Sequence, residues 1–288
     1  MGTTAQAFVD FLEDLTPTDY HMDTMVPARK ESVEDKLTEK FPPTHEMPFS
    51  EAYLIGSAAK KTALRPVEDT DLLAIFSNEN NAYSTYRYDS QKFLYKIRNA
   101  YQGTQIQQVG ARGQAVRVFY KTGGYVDIAP VFDAGSGDYL LPAGDGSWIY
   151  TSPFKANTWF RGRNADLSYN LPPLVRLLKK WNKAHSKRLT SFHLETIAAS
   201  CFSKLSSNHR SNLTDFFRWA ANHLDVQDPG GHSGYLSSYL NWPKRDEVIR
   251  SFSTALTRAE IALEKEREGD HTEAKRQWGI ILGEGFPS

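Results

Sequence analysis

Two aspartates stand two residues apart in the segment VEDTDLLAIF, where Asp69 and Asp71 precede an apolar run. A short β-branched and apolar run of this kind predicts a strand, and side chains at i and i+2 of a strand lie on the same face. An isolated Asp-x-Asp is most often a strand-end or capping pair. A second apolar segment, GGYVDIAPVF, adds Asp127, and three carboxylates on adjacent strands repel one another unless a cation neutralises them. The pattern favours a site for Mg²⁺, a hard ion that takes carboxylate and phosphate oxygens.

A Gly-Ser turn precedes the aspartates in the stretch LIGSAAKKTALRPVEDTDL. It is not a Walker loop, because that loop has a glycine directly before its Lys-Ser/Thr pair, and Lys60 stands there instead. After the predicted strand EAYLI, Gly56 would let the backbone approach a phosphate closely and Ser57 would add a hydroxyl. The spacing predicts a triphosphate between the turn and the aspartates. Lys60 and Lys61 are then either phosphate neighbours or solvated charges.

The spacing of apolar residues changes along the chain. Helical spacing in residues 5–15 and from about Met25 to Phe41 predicts two helices, and the segments EAYLIG, TDLLAIF, VRVFY and YVDIAPVF predict strands of one sheet, interrupted by a helix around Tyr88 to Tyr101. From Leu171 onward the pattern is helical, in PPLVRLLKKWNKAH, SFHLETIAASCFSKL, NLTDFFRWAANHL and VIRSFSTALTRAEIALEKERE. The sequence therefore predicts an α+β amino-terminal lobe followed by a helical carboxy-terminal lobe.

Composition excludes several classes of protein. The 288 residues carry 34 basic and 34 acidic side chains, so there is no global charge suited to nucleic acid or to an anionic membrane. The single cysteine, Cys201, is predicted to be buried in the run TIAASCFSKL, and it excludes an intrachain disulfide and a Cys-rich zinc site. No leader-like segment and no membrane-length apolar run is present, which predicts a cytoplasmic protein.

The motifs together resemble a known superfamily. A hydrophobic-Gly-Ser turn, Asp-x-Asp on a following strand and a third Asp on a later strand resemble the polymerase-β-like nucleotidyltransferases. From about residue 50 to the end, VDIAPVF, the LPAGDGSWIYTSP hairpin, LPPLVRLLKKWN, SFHLE and the terminal residues Trp278, Gly283, Phe286 and Pro287 are similar to the bacterial cGAS/DncV-like nucleotidyltransferases. These are the cyclic-oligonucleotide synthases of anti-phage defence.

The resemblance implies roles for the residues of the first lobe. Asp69 and Asp71 would hold two Mg²⁺ ions, for which Mn²⁺ could substitute. Asp127 would share a metal and help to activate the attacking 3′-hydroxyl. Gly56 and Ser57 would contact the nucleotide phosphates.

Three residues of the helical lobe match family positions that contact the donor nucleotide. Lys179 and Ser191 would hold its triphosphate, and Phe192 would stack on its base. Each has a simpler alternative: a solvated helix charge for Lys179, a helix cap for Ser191 and a core position for Phe192. Further residues between the lobes are predicted to lie in a loop, with contact to a base edge as the alternative: Asn157, Arg161 and Asn164.

The implied function is synthesis of a cyclic di- or trinucleotide second messenger from nucleoside triphosphates such as ATP or GTP, with release of pyrophosphate. A catalytic lobe would span residues 1–165 and a helical lobe, residues 166–288, would complete the nucleotide cleft. No DNA or RNA activator is expected, since one cysteine cannot build the zinc module of DNA-activated animal relatives, and no membrane partner is expected. The alternatives are a terminal or RNA-modifying nucleotidyltransferase and a catalytically silent nucleotide-binding or antitoxin-like module.

Overall fold

The computed structural model describes residues 2–101, 106–121 and 123–287, with the backbone alone described for residues 106–112. In chain order, its helices and strands are α1 (Thr4–Leu15), a π-helix (Tyr20–Met25), α2 (Val26–Lys40), β1 (Phe49–Leu54), α3 (Gly56–Ala59), β2 (Asp69–Phe76), α4 (Ala82–Tyr86), α5 (Ser90–Ala100), β3 (Ile106–Arg112), β4 (Ala115–Tyr120), β5 (Tyr125–Gly135), β6 (Asp138–Pro142), β7 (Trp148–Thr151), α6 (Pro153–Asp166), α7 (Leu171–Ala184), α8 (Ser191–Ser200), α9 (His209–Trp219), two 3₁₀ turns (Ala220–His223 and Leu236–Tyr239), α10 (Trp242–Arg267) and α11 (His271–Leu282).

The chain forms two compact units. The sheet unit is Pro17–Asn157, and the helical unit is Met1–Thr16 together with Thr158–Ser288. These bounds differ from the predicted division between residues 165 and 166, because the division falls inside α6 and because α1 belongs to the helical unit. Phe8 of α1 is buried edge-on against Trp278 of α11, with ring centroids 5.0 Å apart.

The seven strands described in the sheet unit belong to one mixed sheet. The order is β1-β2-β5-β4-β3, and β6 pairs with both β5 and β7. β2 and β5 run parallel, and the other pairs of described strands are antiparallel. The predicted strands are confirmed, and the predicted α+β class is correct, with a mixed sheet. The polar segment IQQVGAR, for which no strand was predicted, forms β3.

Side chains in the second half of β2 point alternately to the two faces of the sheet, and both faces are buried there. Leu72 and Phe76 lie in the main core, which α2, α4 and α5 complete. Leu73 and Ile75 point to the opposite face, where they pack in a smaller core with Val131 of β5. A strand with two buried faces is expected beside a parallel neighbour, and it leaves the start of β2 as the part where polar side chains remain accessible.

The helical unit is held by aromatic packing. Trp181 of α7 stacks on Phe252 of α10 with centroids 5.4 Å apart, and Phe217 of α9 lies 5.2 Å from the same indole. The terminal motif packs here too, since Phe286 lies edge-on to Phe8 at 5.1 Å. In the described ranges, no helix has the length and apolar character needed to cross a membrane.

The single cysteine is less buried than predicted. Cys201 follows the last turn of α8 and is partly exposed, whereas the run TIAASCFSKL predicted a fully buried position. Burial of the thiol group nevertheless raises its pKa well above the ordinary value. Because the thiolate is the reactive form, this cysteine has the character of a structural residue.

Candidate active site

The three predicted carboxylates lie on two adjacent strands. Asp71 of β2 is directly opposite Asp127 of β5 in the parallel register, and Asp69 lies two residues before Asp71. Thr70 and Leu72 are buried on the other face of β2, while the three aspartates are half-buried. The sheet therefore brings all three carboxylates to one face.

An arginine that the sequence analysis missed joins this face. Arg117 of β4 is directly opposite Asp127 in the antiparallel pair, and its Nε and Nη2 donate to the two carboxylate oxygens at 2.7 and 2.6 Å. The guanidinium also lies over the ring of Tyr125, 4.0 Å from its centroid. The hydrogen bond to Asp127 is the main cause that raises the pKa of Arg117. One of the three like charges is thus already offset, which corrects the expectation that only a bound cation could relieve their repulsion.

The chemistry of the donor set fits a divalent cation, although the side chains are not in a coordinating arrangement. In the ranges 2–101, 106–121 and 123–287, no group of three or more His, Cys, Asp or Glu side chains is placed to hold a metal ion. Both oxygens of Asp127 accept from Arg117. Carboxylates are still the ligands that a hard ion prefers, so Asp69 and Asp71 remain the residues best suited to it.

The pairing with Arg117 gives a prediction for Asp127→Asn in metal-free buffer. An asparagine cannot accept two charge-assisted hydrogen bonds from the guanidinium, and both side chains are 21% exposed. We expect a loss of about 1 kcal/mol in the free energy of unfolding, measured as a lower melting temperature in EDTA. An unchanged or higher melting temperature would mean that repulsion among the carboxylates outweighs the ion pair.

The Gly-Ser turn lies directly against Asp71. The Ile55 N–H donates to the Asp71 carbonyl at 3.0 Å, and α3 begins at the next residue. Gly56 has φ +63°, and a Cβ there would come within 2.2 Å of Asp71 Oδ2. The sequence predicted that this glycine allows close approach to a phosphate. In the structure, it leaves room for the Asp71 carboxylate. Ser57, the next residue, is half-buried.

The two lysines after the turn have different environments. Lys60 is 8% exposed and Lys61 is exposed. Lys60 is therefore not a solvated surface charge, and its role as a phosphate neighbour stays a prediction. The choice between the two roles stays open for Lys61.

The predicted donor-site residues of the helical unit lie at the facing parts of α7 and α8. Lys179 Nζ is 2.5 Å from Glu195 Oε1, and the two side chains are 9% and 4% exposed. The alternative of a solvated helix charge is therefore wrong for Lys179. Thr190 caps α8, its hydroxyl accepting from the His193 N–H, so Ser191 is not the cap.

Ser191 and Phe192 form the first turn of α8. Ser191 is exposed and Phe192 is half-buried, so Phe192 is not one of the fully buried core residues. Both side chains therefore have some access to solvent, as contact with a ligand requires.

The buried ion pair predicts a stability effect for Lys179→Met. Removing one partner of a buried pair typically costs about 3–5 kcal/mol, because the other charge stays in a low-dielectric site. We expect a clear drop in melting temperature and recovery of most of it in Lys179→Met/Glu195→Gln, which removes both charges. A single variant that melts like wild type would show that the pair contributes nothing to stability.

The three residues expected in a loop between the lobes all lie in α6, so that prediction is wrong. Asn157 is 8% exposed and Arg161 is exposed, while the Asn164 side-chain oxygen accepts from the Leu171 N–H at 3.3 Å. Ser152 precedes this helix and Pro153 is its first residue, and proline is well suited to a first helical turn. That signal was available in the sequence, but the apolar residues that follow have no regular helical spacing.

Comparison with known families identifies the class. The model of the Second Messenger Oligonucleotide or Dinucleotide Synthetase domain matches residues 1–164, more than half of the chain. The chain belongs to this family and is a cGAS/DncV-like nucleotidyltransferase, as the motifs implied. It is an enzyme of the class that makes cyclic nucleotide second messengers.

Individual relatives cover nearly the whole chain. A protein named "Probable cyclic nucleotide synthase", from Bacillus cereus (strain VD146), is 25% identical over 88% of this chain and 86% of its own length. A "Cyclic AMP-AMP-AMP synthase" of Acinetobacter sp. (strain ATCC 27244 / 9458) is 26% identical over 99% of this chain and 86% of its own. The solved structure of Escherichia coli MS115-1 CdnC with ATP has the same fold, with a TM-score of 0.79, 19% identity and 99% of each chain covered.

Proposed function

We propose that this enzyme joins three ATP molecules into a cyclic adenine trinucleotide, without a template, as a second messenger in anti-phage signalling. The observation that carries the proposal is the placement of Asp71 opposite Asp127 and against the Gly56 turn. The choice of ATP and of a three-membered ring is supported by the cyclic AMP-AMP-AMP synthase that aligns along 99% of the chain.

The carboxylate face supplies the chemistry of the proposed reaction. Asp69, Asp71 and Asp127 would hold Mg²⁺, or Mn²⁺ in its place. Two such ions, when bound, supply charge stabilisation for the attacking and leaving oxygens. Arg117 fixes the direction of the Asp127 carboxylate through two hydrogen bonds, and the role proposed for Asp127 is to take a proton or to share a metal.

Each transfer balances in atoms and charge. The 3′-hydroxyl oxygen of one nucleotide attacks the α-phosphorus of another, a new P–O bond forms, and the bond to the β-phosphate breaks to release pyrophosphate. The hydroxyl proton passes to a base, the role proposed for Asp127. After two linear transfers the third closes the ring, and the protein contributes mainly by positioning the reactants.

Within each unit, further residues are proposed to contact nucleotides. Gly56 and Ser57 would place backbone N–H groups and a hydroxyl near phosphates. Lys179 and Ser191 would contact the donor triphosphate. For Lys179 this role is added to the ion pair with Glu195, which holds the ammonium in a fixed position.

Incubation with nucleoside triphosphates tests the proposal. The protein is mixed with ATP, GTP, CTP and UTP, singly and in combination, with Mg²⁺ and no added nucleic acid, and the phosphatase-resistant products are analysed by mass spectrometry. We expect ATP alone to suffice and to give a closed ring of three adenylates. A requirement for a second base, or a ring of two, would overturn the assigned product while leaving the enzyme class intact.

The substitution Phe192→Ala tests whether this ring stacks on the base of the nucleotide or belongs to the hydrophobic core. Base–aromatic stacking is worth about 1–3 kcal/mol, whereas truncating a core phenylalanine costs about 3–5 kcal/mol of stability. Because Phe192 is half-buried, we expect Phe192→Ala to weaken ATP binding with a small loss of melting temperature. Titration of ATP and a thermal melt on the same variant check this, and a large drop in melting temperature with unchanged affinity would assign Phe192 to the core.

A further inference from the structure

The helical unit contains a cavity of about 310 Å³ that none of the proposed catalytic or donor-site residues lines. Its walls are formed by the last turn of α7 with the residues that follow it, by the middle of α10 and by the end of α11. Small-molecule sites in proteins typically range from about 300 to 1,000 Å³, so a molecule the size of a mononucleotide falls within its capacity.

The polar wall of this cavity is cationic. Its lining includes three arginines, Arg188, Arg250 and Arg258, against one acid, Glu247, together with Ser251. Guanidinium groups bind phosphate through paired, charge-assisted hydrogen bonds. A wall of this composition favours an anion with several acceptor oxygens.

One of these arginines has a buried donor that the protein does not use. Arg188 donates from Nη1 to the His185 carbonyl, but its Nε is buried and, among the described residues, has no hydrogen-bond partner. Buried donors are almost always satisfied, and an exception calls for an ion, a water or a ligand. Arg188 also lines the cavity, so a change of its side-chain rotamer would offer this N–H to an acceptor there.

The other two arginines can supply further contacts. Arg258 donates to Gln277 Oε1 at 3.1 Å, which leaves most of its five N–H groups available. Arg250 pairs with Asp246 one turn earlier in α10, but its side chain is 72% exposed, and an exposed pair of this kind is weak. Both guanidinium groups can therefore turn to a bound anion.

An apolar part of the wall consists of Trp181, Ala255, Ile280 and Ile281. An inorganic ion would leave this wall in contact with water, whereas an organic group attached to the phosphate would cover it. We propose that the cavity is a binding site for a phosphorylated organic molecule of nucleotide size, separate from the carboxylate face.

Calorimetric titration of the whole protein in EDTA tests this site without nucleotidyl transfer, because no divalent metal is available to the carboxylates. AMP and inorganic phosphate are the two probes, at equal ionic strength. We expect AMP to bind more tightly than phosphate, and Arg250→Gln/Arg258→Gln to weaken AMP binding by about tenfold or more. Failure of AMP to bind wild type, or phosphate binding as tight as AMP, would overturn the proposal.

A matched variant controls for charge. Arg218→Gln/Arg267→Gln removes the same two positive charges from surface positions of α9 and α10 outside the cavity, and its affinity for AMP should stay within about twofold of wild type. Equal losses in both double variants would assign the binding to net charge and overturn the site. Thermal melts verify folding, and if the cavity variant melts well below wild type, Arg250→Gln alone gives the same comparison at an exposed side chain.

Discussion

Asp71→Asn is expected to lower the rate of nucleotidyl transfer by about 10²-fold or more while the protein stays folded. The substitution keeps the shape of the side chain and removes the charge that stabilises a metal and a developing transition state. The hydrogen bond from Ile55 is unaffected, since it uses the Asp71 backbone carbonyl. Pyrophosphate release with ATP and Mg²⁺ measures the rate, and a thermal melt verifies the fold.

Asp133→Asn is the matched control for this substitution. Asp133 lies farther along β5, is exposed, and accepts from the Gly135 N–H at 2.8 Å, a bond that the oxygen of an asparagine can keep. This variant should retain wild-type activity. If both variants release pyrophosphate equally fast, Asp71 is not part of the catalytic face.

Gly56→Ala is expected to lower the rate of nucleotidyl transfer much more than it lowers the stability of the protein. The new Cβ would lie 2.2 Å from Asp71 Oδ2, so the carboxylate or the turn must move. A displacement of about 1 Å at a catalytic group can cost 10²-fold in rate. The positive φ of +63° adds about 1–2 kcal/mol of backbone strain for any residue with a side chain.

Gly113→Ala is the control that separates the two effects of Gly56→Ala, which are backbone strain and contact with Asp71. Gly113 has nearly the same φ, +60°, and among the residues that the structure describes an added Cβ meets nothing within 4 Å. We expect a similar loss of melting temperature in the two alanine variants and a loss of activity in Gly56→Ala alone. Wild-type activity in Gly56→Ala, or the same activity loss in both, would show that the turn does not position Asp71 for catalysis.

The sequence predicted those features of the carboxylate face that depend on the alternation of side chains along a single strand. Alternation along DTDLLAIF placed Asp69 and Asp71 on one side, and the apolar frame around Asp127 made its strand recognisable. That Asp71 is directly opposite Asp127 follows from strand pairing, which the pattern of one strand cannot specify. The resemblance to nucleotidyltransferases had already implied that Asp127 acts together with Asp69 and Asp71.

Ion pairs between side chains of different strands or helices could not be predicted from the sequence. Arg117 was part of the predicted strand VRVFY, but its place opposite Asp127 depends on the register between β4 and β5. The pairing of Lys179 with Glu195 depends likewise on how α7 packs on α8. Each involves a long side chain whose partner is fixed by tertiary structure, so periodicity alone gave a solvated charge as the simpler interpretation of Lys179.

The most direct test of the central claim is to follow labelled ATP. The enzyme is incubated with α-labelled ATP and Mg²⁺, with and without an RNA oligonucleotide, and the products are treated with phosphatase and analysed by mass spectrometry. We predict label in a phosphatase-resistant ring of three adenylates that forms without RNA and is absent with Asp71→Asn. Label found only on a lengthened RNA, or only in open chains, would contradict cyclic synthesis and indicate a terminal nucleotidyltransferase.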